Sequence, residues 1–176
     1  MIALLRVKPT AILKLGGGWI ALAAGDDGIA ACTLPHATAA RALAEVDQAL
    51  AAPARGDVLL PKAAEELRRY VAGERPSFAF RLDLSRLPDF TRRVLLAVSK
   101  IPYGETRSYG EVARLVGKPR AARGVGQVMA RNPLAPIVPC HRVIGSDRGL
   151  VGFGGGLDLK QRLLRMEGAK VAQAEP

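Results

Sequence analysis

The stretch SYGEVARLVGKPRAARGVGQVMARN, residues 108–132, predicts two helices joined by a tight turn. Ser108 and Glu111 have the Ser-x-x-Glu spacing of a capping box, which marks the start of the first helix. This helix is expected to end at Gly117, and the second is expected over 120–132. The pair resembles a helix-turn-helix, which is weak evidence for DNA binding because many helical hairpins share the pattern.

The second predicted helix is unusual in its small residues. Ala122, Gly124 and Gly126 leave part of it almost without side chains, although an interior glycine costs a helix roughly 1 kcal/mol. Tight packing against another helix would explain these residues, and so would entry into a DNA groove. In the second case the neighbouring Arg120 and Arg123 would meet phosphates or bases.

The whole chain predicts an α+β fold in two domains, residues 1–85 and 86–176. Short alternating runs between residues 10 and 34 predict a three-stranded antiparallel sheet, because glycine-containing turns separate them. The C-terminal domain is expected to be mainly helical and to carry a cysteine-bearing loop. Three further helices and one more strand are predicted, namely 37–51, 62–73 and 89–101 for the helices and 77–84 for the strand.

The net charge of +10 is concentrated in the C-terminal half. Residues 1–85 carry 10 basic and 9 acidic side chains, whereas residues 86–176 carry 16 and 7. This imbalance favours a polyanion-binding surface in the second half, although a generically basic protein would show the same excess. No stretch approaches the roughly 20 apolar residues of a membrane span, and no membrane partner is expected.

The two cysteines, Cys32 and Cys140, lie far apart and form no Cys-x-x-Cys pair. This usage favours a reducing cytosol, so a cytoplasmic location is expected. In the first half Cys32 and His36 are the only thiol and imidazole ligands, which is too few for a structural zinc site built from cysteine and histidine. No metal is therefore expected.

The stretch PIVPCHRVIG, residues 136–145, favours a reactive thiol at Cys140. The adjacent His141 could serve as a base, and Arg142 would add positive potential that favours the thiolate. The prolines stiffen the loop and prevent a regular helix. The alternative is an inert, buried cysteine, which is the more common role for a lone thiol.

The adjacency of Cys140 and His141 argues against direct contact between them. Successive side chains of an extended segment point to opposite faces, so a water would bridge the two. An imidazole base also needs an orienting carboxylate. Three downstream carboxylates are candidates, and spacing does not choose among them: Asp147, Asp158 and Glu167.

The motif PCHRVIG, with NP upstream and GFGGGLDLKQRLLRMEG downstream, resembles the O6-alkylguanine-DNA alkyltransferases over about residues 90–168. The resemblance implies direct repair of double-stranded DNA. The alkyl group of O6-alkylguanine, and of O4-alkylthymine, would pass once and irreversibly to Cys140 after the base is flipped out of the duplex. It implies no cofactor and a monomer that binds the minor groove, with cooperative binding left open.

The same resemblance implies roles for the residues around the thiol. His141 would deprotonate Cys140 through a water, and Glu167 would orient His141. Asn132, the only asparagine of the chain, would tie the recognition helix to the cysteine loop. Tyr109 would rotate the 3′ phosphate and help to protonate the leaving guanine.

The DNA contacts and the base pocket are also implied by the resemblance. Arg123 would enter the stack where the base left, next to Arg120. Ala122 and Gly126 would allow close approach to the minor groove. The substrate pocket would be lined by five residues, which are Met129, Val143, Phe153, Gly154 and Gly155.

This chain departs from the family pattern at two pocket positions. Many members have a serine where this chain has Gly154, so only a backbone N–H is available toward guanine O6. Ala135 replaces a proline that packs on bulky adducts in some members.

There are two alternatives to alkyl transfer. One is a lesion-binding sensor, a class that resembles this family but lacks the cysteine. The other is a cysteine hydrolase or a helix-turn-helix regulator, and either of these two explains only half of the features.

Overall fold

The structure, a computed structural model, describes residues 10–15, 17–49 and 59–171. The chain divides into two compact units between Arg86 and Leu87. The described residues contain helices and a small antiparallel sheet, which confirms the α+β class. None of the helices in this part of the chain is both long and apolar enough to span a bilayer.

The first unit contains the predicted three-stranded antiparallel sheet. Its strands pair in the order β1-β2-β3, with Leu13 opposite Ile20 and Leu22 opposite Cys32. A cluster of small buried residues, including Ala21 and Val46, packs between the sheet and a helix, because alanine lets the helix approach closely. The elements are β1 (Thr10–Leu15), β2 (Gly18–Ala24), β3 (Ile29–Cys32), α1 (Ala39–Ala49) and α2 (Leu59–Val71).

Both predicted helices of this unit are present with shifted ends. The prediction of 37–51 exceeds α1 at its start, and its last two residues lie outside the described part of the chain. The prediction of 62–73 begins three residues late, because α2 starts at Leu59 and carries Pro61 in its first turn. Proline is tolerated there, since the first backbone N–H groups of a helix have no partner within it.

The strand predicted over 77–84 is wrong. Only Leu82 pairs with a strand, through an isolated bridge to Ile29. Phe78 has a φ of 44°, in the left-handed region, and its backbone N–H donates to the buried carboxylate of Glu66. The alternation of residues 77–84 therefore reflects packing of a bent segment, in which the Phe78 ring contacts those of Tyr70 and Phe80.

The second unit is mainly helical, as predicted. The capping box is confirmed, because the Ser108 hydroxyl accepts from the Glu111 N–H and the Glu111 carboxylate accepts from the Ser108 N–H. The second helix of the pair is shorter than the predicted 120–132. The elements are α3 (Asp89–Ser99), β4 (Arg107–Ser108), α4 (Tyr109–Leu115), α5 (Ala122–Ala130), β5 (Val143–Ile144) and α6 (Leu157–Met166).

A short parallel ladder joins the helix-turn-helix to the cysteine loop. Arg107 and Ser108 of β4 pair with Val143 and Ile144 of β5. Because β4 leads directly into α4 and β5 follows Cys140 by three residues, the ladder holds the start of α4 beside the thiol. This pairing was not predicted, since strands of two residues carry no periodic signal.

Candidate active site

Cys140 begins a short 3₁₀ turn, Cys140–Arg142, and is not part of an extended segment. Its backbone N–H donates to the carbonyl of Val138 at 2.8 Å, and the N–H of Arg142 donates to that of Pro139 at 2.9 Å. The whole turn is buried, and Cys140 is only 4% exposed. The expectation of opposite faces therefore does not apply, because neighbouring side chains in a 3₁₀ turn are about 120° apart.

His141 and Glu167 form a buried pair beneath this turn. His141 Nε2 lies 2.9 Å from Glu167 Oε1, and both side chains are fully buried. The other two candidate carboxylates have different positions, since Asp147 accepts from the Gly149 N–H and Asp158 lies exposed in the first turn of α6. Of the three, Glu167 is thus the one that contacts the imidazole.

The pKa shifts of His141 and Glu167 define the tautomer of the imidazole. Burial opposes the charge on Glu167, but hydrogen bonds from His141 and Arg142 outweigh it, together with the charge of Arg142 and, at the acid pH where the carboxyl titrates, that of His141. They hold the pKa of the carboxyl well below its usual range. An ionised carboxylate can only accept, so Nε2 of His141 carries a proton. Burial lowers the pKa of His141, which favours a neutral imidazole with Nδ1 as its basic atom.

The guanidinium of Arg142 is paired with the carboxylate of Glu167. Its guanidinium binds Glu167 at two points, with Nε to Oε2 at 2.8 Å and Nη2 to Oε1 at 2.9 Å. Its remaining Nη1 donates to the carbonyl of Ile101 at 2.6 Å. Nε and Nη2 thus form a bidentate pair with the carboxylate, in which two parallel N–H groups meet the two oxygens.

Cys140 itself is held close to Asn132 and Lys160. Burial raises the pKa of the Cys140 thiol, whereas a hydrogen bond from Asn132, the charge of Lys160 and backbone hydrogen bonds act in the opposite direction. Asn132 also links α5 to the cysteine loop, because its Nδ2 donates to the Val138 carbonyl at 2.9 Å and its Oδ1 accepts from Leu134. The raised pKa favours the protonated thiol, and a thiol becomes a good nucleophile only when it loses its proton.

Lys160 is a further functional candidate, which the sequence pattern did not indicate. Its side chain is completely buried, and Nζ donates to the carbonyls of Val143 and Val151 at 2.7 Å each. Burial lowers the pKa of Lys160 to about 8, and the nearby Cys140 acts against this shift. A lysine in an amphipathic helix is usually exposed, so the only available signal was its place among apolar residues in the pattern of α6.

Replacement of Lys160 by methionine is expected to make Cys140 less reactive. Loss of the buried positive charge raises the pKa of the thiol, and alkylation by iodoacetamide near pH 8 should slow by roughly tenfold, about one unit of thiol pKa. Peptide mass spectrometry separates Cys140 from Cys32. Lys170→Met removes an equal charge from an exposed position and serves as the control. Equal rates in the two variants would exclude an electrostatic role for Lys160.

Tyr109 lies at the entrance to this cluster, at the start of α4. Its hydroxyl donates to the Val151 carbonyl at 3.3 Å, and its ring is 5.9 Å from Lys160 Nζ. The pKa of Tyr109 is raised by burial and by the nearby Cys140. The Val151 carbonyl therefore accepts from both Lys160 and Tyr109, which ties the glycine-rich segment before α6 to the helix-turn-helix.

The small residues of α5 have two different environments. A Cβ on Gly124 would approach the Phe90 ring to 3.3 Å, so helix packing accounts for this glycine. A Cβ on Gly126 would lie 3.8 Å from the Tyr109 ring, an ordinary contact that needs no glycine. Packing within the protein therefore does not explain Gly126, whereas close approach of an external molecule would.

The other predicted site residues have the following positions. Arg120 and Arg123 are exposed near the start of α5, and Ala122 beside them is half-buried. Met129 and Val143 are buried and Phe153 is half-buried, while two glycines of the predicted pocket are exposed, namely Gly154 and Gly155. Within residues 10–15, 17–49 and 59–171, no group of three or more His, Cys, Asp or Glu side chains could hold a metal ion.

The part of the chain that contains this site is similar to known proteins. The model of the family described as "6-O-methylguanine DNA methyltransferase, DNA binding domain" matches residues 89–169. A methylated-DNA–protein-cysteine methyltransferase from Mycolicibacterium paratuberculosis is 56% identical over 105 residues, which are 60% of this chain and 63% of that protein. The protein of the same description from Methanosarcina acetivorans is 48% identical over 108 residues, 61% of this chain and 69% of that protein.

The similarity extends over most of the chain in a solved structure. The Mycobacterium tuberculosis OGT in complex with DNA aligns with a TM-score of 0.72 and 37% identity, covering 90% of this chain and 92% of that one. This chain belongs to the methylated-DNA–protein-cysteine methyltransferase family. The sequence alignment itself spans a little under two thirds of the mycobacterial relative's length.

The chain departs from the family pattern at Gly154 and Ala135, and the structure shows the surroundings of both residues. A Cβ on Gly154 would meet no atom within 4 Å, so a serine there would not clash with the protein. Ala135 is 3% exposed and lies among the buried residues of the cysteine loop. The glycine at 154 is therefore not required by local packing.

Proposed function

We propose that this protein repairs DNA by transferring the alkyl group of O6-alkylguanine, and of O4-alkylthymine, to Sγ of Cys140. The observation that carries this proposal is the buried contact of His141 with Glu167, 2.9 Å long, directly beneath the turn that begins with Cys140. A thiol next to an oriented imidazole is the arrangement that nucleophilic catalysis by cysteine requires. The protein acts as a monomer in the cytoplasm and needs no cofactor.

The proposed reaction is a single displacement at the alkyl carbon. His141 Nδ1 accepts the Cys140 proton through a water, while its Nε2–H stays bound to Glu167. The sulfur then forms a bond to the alkyl carbon as the carbon–O6 bond breaks, and the electron pair passes to guanine, which takes up a proton. The product thioether has no leaving group that water can displace easily, so each molecule acts once.

The proposed DNA contact is made by α5 in the minor groove. The target base leaves the duplex and enters the pocket beside Cys140, because a sulfur that is 4% exposed cannot reach a stacked base. Arg123, exposed at the start of α5, fills the space left in the stack, and Arg120 binds phosphate. Tyr109 exchanges its hydrogen bond with Val151 for one with the DNA.

Gly126→Ala is expected to separate folding from DNA binding. The added methyl makes only ordinary contact with Tyr109, and alanine favours a helix over glycine by about 1 kcal/mol, so thermal stability should rise slightly. The same methyl blocks close approach of DNA, so the dissociation constant should rise roughly tenfold or more, as for the loss of about 1.4 kcal/mol. Fluorescence anisotropy and thermal unfolding measure the two effects, and undiminished binding would argue against α5 as the groove-binding helix.

Intact mass measurement tests the proposed reaction. The protein is mixed with duplex DNA that contains one O6-methylguanine, and with the same duplex containing guanine as a control. We expect the mass to rise by one methyl group in the first case only, with the modification on Cys140. Binding without a mass gain would support the sensor alternative, and loss of the methyl group with an unmodified protein would support a hydrolase.

A further inference from the structure

Arg142 is a buried cation beneath the thiol that the proposed reaction does not use. Arg142 is 8% exposed, and its guanidinium donates twice to Glu167 and once to the Ile101 carbonyl. The Tyr103 ring lies 5.7 Å from the guanidinium carbon, and the Tyr103 hydroxyl donates to the Met166 carbonyl next to Glu167. Arg142 is therefore fixed on several sides, in contrast to a surface arginine that shields a charge only transiently.

Glu167 shares one oxygen between Arg142 and His141. Oε1 accepts from His141 Nε2 and from Arg142 Nη2, both at 2.9 Å, while Oε2 accepts from Arg142 Nε and from the Gly104 N–H at 3.2 Å. These donors occupy the carboxylate on both oxygens and prevent its rotation. The oxygen that faces the imidazole is thereby set by Arg142 and the Gly104 backbone.

The charges around His141 affect whether its imidazole is protonated. A buried carboxylate whose charge were not cancelled would stabilise a protonated His141, and an imidazolium cannot accept a proton from Cys140. Three charged groups face His141. Lys160 comes from α6, Glu167 from the end of that helix, and Arg142 from the same turn as His141. Cys140 is its titratable neighbour, and Tyr109 of α4 approaches the cluster beside Cys140.

We propose that Arg142 is a positioning residue for the transfer reaction, which holds Glu167 against His141 and cancels its charge so that His141 enters the reaction as an uncharged base. This inference rests on the proposed function for its effect on the rate, but not for its effect on the imidazole. Burial, with the charges of Arg142 and Lys160, lowers the pKa of His141, whereas Glu167 acts in the opposite direction. Burial has the largest effect on this pKa, and Arg142 adds to it by opposing the effect of the carboxylate.

Nuclear magnetic resonance of the histidine rings tests the inference without DNA. The chain has only two histidines, so His36→Gln assigns both signals in the ¹⁵N-labelled protein. In Arg142→Met we expect the titration midpoint of His141 to move to higher pH, and in Arg142→Met/Glu167→Gln to move back. An unchanged His141 midpoint in Arg142→Met, with the His36 signal and the circular dichroism also unchanged, would overturn the proposal.

Single-turnover transfer rates supply the second measurement. Arg142→Met should be slower than the unaltered protein at every pH, because Glu167 is no longer held at two points. The deficit should be roughly three- to tenfold larger near pH 6 than above about pH 8, a difference within the usual contribution of a general base. A purely structural role would lower the rate equally at every pH. If the unaltered protein transfers no alkyl group, the proposed function fails, while the titration of His141 still decides the role of Arg142.

A second variant covers a failure of Arg142→Met to fold. Arg142→Lys keeps the positive charge but cannot donate from two points in one plane. We expect His141 to remain uncharged at pH 7 in this variant, and the transfer rate to fall by a pH-independent factor. A protonated His141 in Arg142→Lys at pH 7 would contradict the inference.

Discussion

Cys140→Ser is expected to abolish alkyl transfer to the limit of detection while leaving DNA binding close to that of the unaltered protein. A serine hydroxyl is a far weaker nucleophile than a thiol, and the site holds a base suited to a thiol proton. The substitution replaces sulfur by the smaller oxygen in a buried turn, so the fold should persist. Intact mass and fluorescence anisotropy, both with a duplex containing O6-methylguanine, measure the two properties.

Cys32→Ser is the matched control for this experiment. Cys32 is equally buried, but it lies in β3 of the first unit, and burial raises the pKa of its thiol, with a contribution from Glu45. Transfer should continue in this variant. Repair by Cys140→Ser, or loss of repair in a folded Cys32→Ser, would show that the reactive sulfur has been assigned to the wrong residue.

Glu167→Ala is expected to have the largest effect on stability. Removal of the carboxylate leaves the buried Arg142 without its bidentate partner, and loss of one member of a buried ion pair costs about 3–5 kcal/mol. In the fraction of the Glu167→Ala variant that still folds, the transfer rate should fall roughly 100-fold or more, because His141 loses its orientation. Urea denaturation and single-turnover kinetics measure these effects.

Glu105→Gln provides the comparison for Glu167. Glu105 also contacts an arginine, Arg107, at 3.0 Å, but this pair is exposed. Exposed ion pairs contribute about 1 kcal/mol or less, because water and salt screen them. A loss of stability in Glu167→Ala no larger than in Glu105→Gln would mean that the buried cluster does not stabilise the fold.

The pH dependence of stability isolates the charge of Glu167. The pKa of Glu167 in the folded protein is held below the ordinary value of about 4.3. The ionised carboxylate therefore contributes fully to the free energy of unfolding above that pH, and this contribution is lost as the pH falls toward the folded-state pKa. The difference in free energy of unfolding between the unaltered protein and Glu167→Gln should therefore be constant near neutral pH and shrink below about pH 4. Glu111, also lowered in pKa, titrates in both proteins and cancels from the difference. His141 would not cancel, because Glu167 raises its pKa, so both proteins carry His141→Gln in this measurement. A difference that stays constant down to pH 3 would contradict the assignment.

The elements that were predicted correctly are those whose signals are local. Alternation and glycine turns located the sheet, and the capping box located the start of α4, because each depends on residues within one or two turns of chain. The strand predicted at 77–84 failed for the opposite reason. The left-handed conformation of Phe78 and its hydrogen bond with Glu66 involve a residue 12 positions away, which an alternating pattern does not register.

Short-range periodicity and adjacent residues were enough to predict an α+β fold, a helix-turn-helix and a cysteine–histidine motif. The partners within the site depend instead on contacts between residues that are distant in sequence. Glu167 lies 26 positions from His141, and it reaches the imidazole because α6 ends there. Arg142 and Lys160 likewise acquired their roles in space, since hydrogen bonds and buried charges act over a few ångströms and not along the chain.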